Sequence, residues 1–162
     1  MSNNDVPKVI LLAEDDPDDA DQTKTALRGA GVLNPVVLVT DGDEAIAYLK
    51  GEGEFLDRQK FPFPGILLLD LKMRRVDGFR VLSWLNFLAV DEKPLVIVLS
   101  GHTDVHYIQR AYDEFGAHSF LIKPLMVTDV QNLARVQNRF WAMSPEFHEH
   151  SSKLYGWSNA PQ

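Results

Sequence analysis

Five polar side chains stand at the ends of short apolar runs, and together they could bind a metal ion and transfer a phosphoryl group. Glu14 and Asp15 follow the first run and Asp70 ends the third, while Ser100 and Lys123 follow the fourth and fifth. In open parallel sheets the ligand site lies beyond the carboxyl ends of the strands. We therefore expect three carboxylates, one hydroxyl and one amine to share one rim of a sheet.

This set of groups suits phosphoryl chemistry around a hard cation. Carboxylates held close together raise one another's pKa unless a cation lies among them. Oxygen ligands without cysteine or clustered histidine favour Mg²⁺, or alternatively Mn²⁺, over zinc. A carboxylate beside such an ion can itself accept a phosphoryl group. That transfer depends on neutralising the phosphoryl oxygens, and Lys123, Ser100 and the ion could each contact one of them.

The elements that would position these groups follow a repeated strand-then-helix pattern. Apolar runs typical of buried parallel strands occupy residues 8–13, 36–39, 66–69, 95–99 and 119–122. Each run is followed by apolar residues at helical spacing, and the helices are expected to begin near residues 17, 42, 78, 105 and 128. The alternation predicts an α/β fold, a doubly wound five-stranded parallel sheet with helices on both faces.

Composition narrows the class of protein further. The chain has 162 residues, no cysteine and a net charge of -7. The length predicts one domain, assigned to residues 1–143, with a tail at 144–162 that forms no separate domain. The lack of cysteine indicates a reducing location, here the cytoplasm. We expect no membrane span because no apolar stretch approaches about 20 residues, and the acidic charge argues against DNA binding.

The order of the polar markers resembles that of the response-regulator receiver domain of bacterial two-component signalling, over roughly residues 7–142. The resemblance implies a flavodoxin-like strand order of 2-1-3-4-5 and a signalling phosphoprotein rather than an enzyme, limited to self-phosphorylation and autodephosphorylation. The markers that carry it are Glu14-Asp15, Asp70, Ser100, Phe120 and Lys123-Pro124.

The resemblance also implies a role for each residue of the metal site. Asp70 would be the phosphoacceptor that takes the phosphoryl group from a histidine kinase. Asp15 would bind Mg²⁺ directly, and Glu14 would do so largely through water. The backbone carbonyl of Lys72 would complete the protein ligands.

Three further residues would respond to the phosphoryl group. By resemblance, Ser100 and Lys123 would hold its oxygens. Phe120 would be an aromatic switch that turns inward when Ser100 moves toward the phosphate. The peptide bond between Lys123 and Pro124 is expected to be cis.

Some residues depart from the family pattern. Arg74 stands where the family usually has proline, which is expected to loosen the loop after Asp70. The stretch from Ser100 to Lys123 is one residue longer than usual. Lys72 and His102 occupy positions that tune phosphate loss in this family, and we expect a cationic Lys72 to alter the lifetime of the phosphoryl group.

The sub-type and partners follow from longer segments. The segments ILLAEDDPDDADQTKTAL and YDEFGAHSFLIKP resemble single-domain regulators paired with bacterial phytochromes. This predicts a phytochrome-type histidine kinase as partner and, because few residues follow Trp141, output by protein–protein contact or by phosphate relay. The apolar residues of the tail, together with Trp141, are expected to form a homodimer contact. The alternative is a disordered tail with incidental aromatic residues: Phe147, Tyr155 and Trp157.

Three other functions would involve the same residues. An aspartate-nucleophile phosphatase of the haloacid dehalogenase type needs a second aspartate two residues after Asp70, where Lys72 stands. A flavodoxin-like carrier of FMN is disfavoured because Glu14, Asp15 and Asp16 would repel the phosphate. An atypical receiver that binds partners without phosphorylation is opposed by the complete acceptor set and stays open.

Overall fold

Five short strands form one parallel sheet in the order β2-β1-β3-β4-β5. The computed structural model describes residues 6–101 and 105–155. The predicted α/β class and the strand order implied by the resemblance are both confirmed. The strands are β1 (Ile10–Ala13), β2 (Val36–Val39), β3 (Ile66–Asp70), β4 (Leu95–Ser100) and β5 (Ser119–Ile122).

Helices cover both faces of the sheet. They are α1 (Pro17–Gly29), α2 (Gly42–Lys50), α3 (Gly78–Leu85), α4 (Val105–Phe115), α5 (Val127–Val136) and α6 (Pro145–Tyr155). Short 3₁₀ turns occupy Gly53–Phe55 and Val90–Glu92. Helix α3 ends three residues before the predicted limit of 88, and Phe140, predicted to lie inward on the last helix, follows the end of α5. The chain leaves helical geometry at Gln137, where φ is -117° and ψ is 40°.

The sheet divides the core into two layers. On β1, Ile10 and Leu12 face a cluster with α1, α5 and Trp141, while Leu11 and Ala13 face a cluster with α2, α3 and Ala111 of α4. Successive side chains of a strand point to opposite faces, so a strand covered on both faces is apolar throughout. This is why β1 and β3 read as unbroken hydrophobic runs.

Aspartates that follow the strands begin the helices. The side chain of Asp16 accepts hydrogen bonds from the backbone N–H groups of Asp18 and Asp19, and Pro17 occupies the first turn of α1. Asp41 and Asp77 act in the same way at α2 and α3. Such side-chain caps satisfy N–H groups that have no partner within the helix. The three caps therefore fix the residues at which α1, α2 and α3 begin.

The segment expected to be a tail contains helix α6. Phe147 of α6 and Trp141 before it are both buried in the cluster around α1 and α5. Met143 pairs with Val32 in an isolated antiparallel bridge. The disordered alternative is thus wrong for residues 145–155, and these two aromatic rings pack in the chain's own core. The homodimer contact of the tail stays a prediction. Trp157 lies outside the described residues, and the boundary at residue 143 stays a prediction.

None of the helices within residues 6–101 and 105–155 has the length and apolar character needed to cross a membrane.

Candidate functional site

The ammonium group of Lys123 joins the ends of three segments at one rim of the sheet. Its Nζ donates to Glu14 Oε2 at 3.0 Å, to Asp70 Oδ2 at 3.1 Å and to Asp19 Oδ2 at 2.8 Å. Glu14 follows β1, Asp70 ends β3, Lys123 follows β5 and Asp19 lies in the first turn of α1. The predicted convergence of charged groups from separate strands is therefore what the structure shows.

Sequence reasoning missed Asp19 as a member of this group. The acidic residues after Pro17 were interpreted only as residues that favour a helix start. A signal was present, because a helix that begins two residues after Asp15 must place its first turn beside the end of β1. Which acid of the run 16–21 would face Lys123 depends on the path of the chain, and this could not be obtained from spacing alone.

Three carboxylates form a cluster suited to a divalent cation. One oxygen each of Glu14, Asp15 and Asp70 lies within 4.8 Å of the other two. The side chain of Glu14 is 0% exposed and that of Asp70 is 6% exposed, while Asp15 retains 17%. Hard oxygen ligands in this number match the preference of Mg²⁺ or Mn²⁺ for one or two carboxylates together with water. The donor set fits such an ion.

The electrostatics of the cluster support the same assignment. Burial and, secondly, the charge of Asp70 raise the pKa of Glu14 to about 7. Burial alone would lower the pKa of Lys123, but the hydrogen bond to Asp19 and the charges of Asp70 and Glu14 raise it above its ordinary value. Lys123 is therefore firmly cationic, yet it does not fully neutralise the acids around it. A divalent cation would offset the remaining negative charge.

Backbone contacts hold Asp70 in place. Its Oδ1 accepts a hydrogen bond of 2.9 Å from the backbone N–H of Lys72, which turns the chain back over the acceptor. The N–H of Gly78 donates to the carbonyl of Leu71 at 3.1 Å. A Cβ at Gly78 would lie 2.5 Å from the Asp70 carbonyl oxygen, so only glycine lets α3 approach the acceptor's backbone this closely. Sequence analysis gave Gly78 no such role.

The carboxylates open into a surface cleft. Lys72, predicted to supply a backbone carbonyl to the ion, lies on its wall. The cleft is lined by Glu14, Asp15, Asp16, Asp19, Asp70, Lys72, Arg74, Gly101 and Lys123. The carboxylate cluster, the predicted acceptor Asp70 and the predicted phosphate-binding lysine therefore share one solvent-accessible space.

Arg74 does not loosen the loop as expected. Its backbone N–H donates to Asp15 Oδ2 at 2.9 Å, and its side-chain Nε lies 3.6 Å from the same oxygen. The loop after β3 is thus tied to the acid that follows β1. A proline at this position could not donate the backbone hydrogen bond.

The structure places the remaining predicted residues around the cluster, not within it. Ser100 is buried at the end of β4, and its hydroxyl donates to the carbonyl of Gly101 at 3.3 Å. Phe120 is 41% exposed on β5, with its ring centroid 6.1 Å from that of Tyr112 in α4. The Lys123–Pro124 peptide bond is cis, as the resemblance implied. His102 lies outside the described residues.

Comparison with known proteins decides the family. Residues 10–135 match the response regulator receiver domain. The chain belongs to this family. Receiver domains are signalling phosphoacceptors.

Similar receiver proteins include regulators named for phytochromes. The chain is 28% identical over 136 residues to the response regulator Rcp1 of Synechocystis, which spans 83% of this chain and 89% of Rcp1. Among solved structures, the bacteriophytochrome response regulator RtBRR is 29% identical with a TM-score of 0.72, covering 93% of this chain and 95% of RtBRR. The phosphorylated cyanobacterial phytochrome response regulator RcpA is 29% identical with a TM-score of 0.67, covering 86% of this chain and 99% of RcpA.

Proposed function

We propose that this receiver protein accepts a phosphoryl group on Asp70 from a histidine kinase and signals by protein–protein contact. The observation that carries the proposal is the position of the Asp70 carboxylate. It lies 3.1 Å from the Lys123 ammonium and within 4.8 Å of the oxygens of Glu14 and Asp15. A nucleophilic oxygen, a fixed cation and a metal-binding acid pair therefore meet at one point, which is what phosphoryl transfer requires.

The transfer step can be written in terms of this site. An Asp70 carboxylate oxygen attacks the phosphorus of a kinase phosphohistidine. The P–O bond forms as the P–N bond breaks, the electron pair stays on the imidazole nitrogen, and the imidazole takes up a proton from solvent. The product on Asp70 is an acyl phosphate. Glu14, Asp15, Asp70 and the Lys72 carbonyl would hold Mg²⁺, and the ion would supply positive charge to offset that of the phosphoryl oxygens.

The residues around Asp70 would then change their contacts in response to the phosphoryl group. Lys123 stays protonated and can exchange a carboxylate contact for a phosphoryl oxygen. Ser100 can donate its hydroxyl to another oxygen and so move the end of β4. Phe120, now exposed beside Tyr112, would turn inward as Ser100 moves. Phosphorylation would in this way bias an existing equilibrium between two states of the α4–β5–α5 surface.

Labelling with a small donor tests the acceptor. The purified chain is incubated with acetyl phosphate and Mg²⁺, and intact mass spectrometry measures the gain of one phosphoryl group. Asp70→Asn should abolish the gain, whereas Asp113→Asn, at an exposed position on α4, should leave it unchanged. No gain on the wild-type chain, or an equal gain on Asp70→Asn, would refute the proposal and would favour a receiver that acts without phosphorylation.

The partner proposed is a phytochrome-type histidine kinase. The support is similarity to RtBRR and RcpA, whose names associate them with phytochromes. The test is phosphotransfer from a purified bacteriophytochrome kinase against transfer from a kinase of unrelated input. Transfer to Asp70 that is no faster from the phytochrome kinase would contradict this pairing.

A homodimer remains part of the proposal, and the surface of α4, β5 and α5 is a candidate contact in addition to the tail. Apolar side chains are exposed on and next to α4, β5 and α5, namely Val105, Tyr107, Tyr112, Phe120, Met126 and Val127. Exposed apolar groups gathered in this way are typical of a contact surface. Sedimentation of the full chain with and without acetyl phosphate should show the dimer, and Phe120→Lys should weaken it. A monomer under both conditions would remove it from the proposal.

The proposed location is the cytoplasm, and no direct contact with DNA is proposed. The lack of cysteine is consistent with a reducing compartment. A net charge of -7 opposes contact with the phosphate backbone of DNA. Recovery of the protein in a membrane or extracellular fraction of the native cell would contradict the location.

A further inference from the structure

Arg74 contacts the metal-binding acid Asp15 with both its backbone and its side chain. The amide N–H donates to Asp15 Oδ2 at 2.9 Å and the guanidinium Nε lies 3.6 Å from the same atom. Arg74 comes four residues after the acceptor Asp70, on the loop that forms one wall of the cleft. A second cation, besides Lys123, therefore contacts the carboxylate cluster.

The two contacts have different consequences. The amide bond leaves the charge of Asp15 unchanged and holds its carboxylate in one position. The guanidinium brings a positive charge next to an oxygen that belongs to the proposed ligand set. Arg74 is 82% exposed at its side chain whereas Asp15 is 17% exposed, so the acid is the fixed member of the pair and the arginine can leave.

We propose that Arg74 is a built-in counter-ion of Asp15 that lowers the affinity of the cleft for divalent cations. This inference rests on the proposed function, because it assigns Asp15 to the metal. The ion must share Asp15 with a guanidinium that already contacts it. The Lys123 ammonium already donates hydrogen bonds to Glu14 and Asp70. Arg74 thereby sets the Mg²⁺ concentration at which the receiver becomes competent for phosphorylation.

Neighbouring Arg75 provides a matched comparison. Its side chain is also 82% exposed and lies 3.7 Å from a carboxylate, but that carboxylate is Asp41 at the start of α2. Asp41 is not a member of the carboxylate cluster. Removing either arginine changes the net charge of the chain by the same amount, so a difference between the two variants reports contact with Asp15 and not overall charge.

The experiment is a calorimetric titration of the unphosphorylated full chain with MgCl₂ at low ionic strength. Arg74→Gln keeps the amide N–H and removes the charge, and it should bind Mg²⁺ about three- to tenfold more tightly than wild type. The gain should shrink as salt is raised through about 0.15 M because exposed charges are screened. The Mg²⁺ affinity of Arg74→Lys should stay near that of wild type. The increase in Mg²⁺ affinity of Arg75→Gln should be less than half of the increase of Arg74→Gln.

Each outcome separates the inference from the proposed function. Tighter binding by Arg74→Gln alone supports the inference, and measurable binding by Arg74→Gln where wild type shows none supports it further. Equal gains for Arg74→Gln and Arg75→Gln would reduce the effect to net charge and overturn it. Equal affinities of Arg74→Gln and wild type would overturn it and leave the metal site intact. No binding by any variant would refute the metal site of the proposed function itself.

Discussion

The ammonium group of Lys72 lies 5.1 Å from the ring centroid of Tyr107, so the loop that follows Asp70 contacts helix α4 directly. The backbone N–H of the same lysine donates to Asp70 Oδ1 at 2.9 Å. Lys72 thus touches the proposed phosphorylation site through its backbone and α4 through its side chain. A cation over the face of an exposed tyrosine is worth about 0.5–1 kcal/mol.

This contact predicts that Tyr107 controls the lifetime of phosphorylated Asp70. Tyr107→Leu removes the aromatic ring that lies 5.1 Å from the Lys72 ammonium and weakens the contact that holds this ammonium toward α4. The ammonium should then approach a phosphoryl oxygen on Asp70 more readily, where it would hinder attack by water. We expect autodephosphorylation to slow by about two- to fivefold, in proportion to the strength of the contact. Tyr107→Phe keeps the aromatic face and should behave as wild type. The measurement is the decay of the phosphorylated protein by Phos-tag electrophoresis.

A double-mutant cycle distinguishes this effect from a general disturbance of α4. Lys72→Ala alone should alter the lifetime, and adding Tyr107→Leu to it should then change nothing further. Additive effects of the two substitutions would show that Tyr107 acts without Lys72. Equal decay rates of wild type, Lys72→Ala and Tyr107→Leu would refute both parts of the prediction.

Lys123 is predicted to be essential for the stability of the metal-free protein. Lys123→Met removes the cation shared by Glu14, Asp70 and Asp19 and leaves the buried carboxylates of Glu14 and Asp70 without this compensating charge. Breaking a buried ion pair from one side costs about 3–5 kcal/mol, and we expect the lower end because the lysine side chain is 17% exposed. The measurement is urea denaturation in the presence of EDTA, and Mg²⁺ should restore part of the loss.

Two variants control this prediction. Lys50→Met removes a cation from the exposed pair of Lys50 and Glu52, 3.6 Å apart, and should cost less than about 1 kcal/mol. Combining Lys123→Met with Glu14→Gln should be less destabilising than Lys123→Met alone, because one uncompensated charge is removed. If Lys123→Met were as stable as Lys50→Met, the cluster would not depend on its lysine.

The elements of the sheet could be predicted because their signals are local. Strands β2 and β5 occur at the predicted residues, and β1 and β3 differ only at their ends. Each is an apolar run stopped by a polar residue or a turn, and in β1 and β3 burial on both faces makes every residue apolar. The charged rim followed from the same signals, since parallel strands of one sheet end at the same edge.

What could not be predicted depends on contacts between distant segments. Ser144-Pro145-Glu146 is typical of a helix start, but the polar composition of residues 144–162 concealed the large side chain of Phe147, which packs α6 against the core. The approach of Arg74 to Asp15 joins residues 59 apart. No periodicity encodes such a contact, because it depends on where the loop after β3 passes over the end of β1.

Arg58 is predicted to fasten the long loop between α2 and β3. Its guanidinium donates to the carbonyls of Tyr48 at 2.7 Å, Leu49 at 2.7 Å and Phe61 at 3.1 Å. Two of these carbonyls end α2, where the helix dipole favours a cation. Arg58→Ala should cost about 2–3 kcal/mol of unfolding free energy because charged hydrogen bonds are lost. Chemical denaturation measures this loss.

Arg58→Lys provides the comparison for geometry. A lysine keeps the charge but cannot match three carbonyls with a planar fork, so its stability should lie between those of wild type and Arg58→Ala. Limited proteolysis should also cut within residues 51–65 faster in Arg58→Ala than in wild type. Equal stability of all three proteins would show that the loop is held by its aromatic contacts alone.

His118 is predicted to make stability depend on pH at the start of β5. Its backbone N–H donates to the Val96 carbonyl at 2.9 Å, and its Nδ1 accepts from the Val96 N–H, also at 2.9 Å. Burial and, secondly, the charge of Lys93 hold the pKa of His118 below the ordinary value of 6.5. The imidazole of His118 therefore binds a proton more readily in the unfolded chain than in the folded one. The contribution of neutral His118 to the free energy of unfolding is present above pH 6.5 and is lost as the pH falls below that value.

Two substitutions separate the hydrogen bond from the titration. His118→Asn places a carbonyl oxygen where Nδ1 lies and cannot be protonated, so its stability at pH 7.5 should be near wild type and should fall less between pH 7 and about 5. His118→Ala leaves the Val96 N–H without its acceptor and should cost about 1 kcal/mol at pH 7.5. Thermal denaturation across this pH range measures both effects. Parallel pH profiles of wild type and His118→Asn would show that other groups cause the dependence, because only the imidazole differs in its ability to bind a proton.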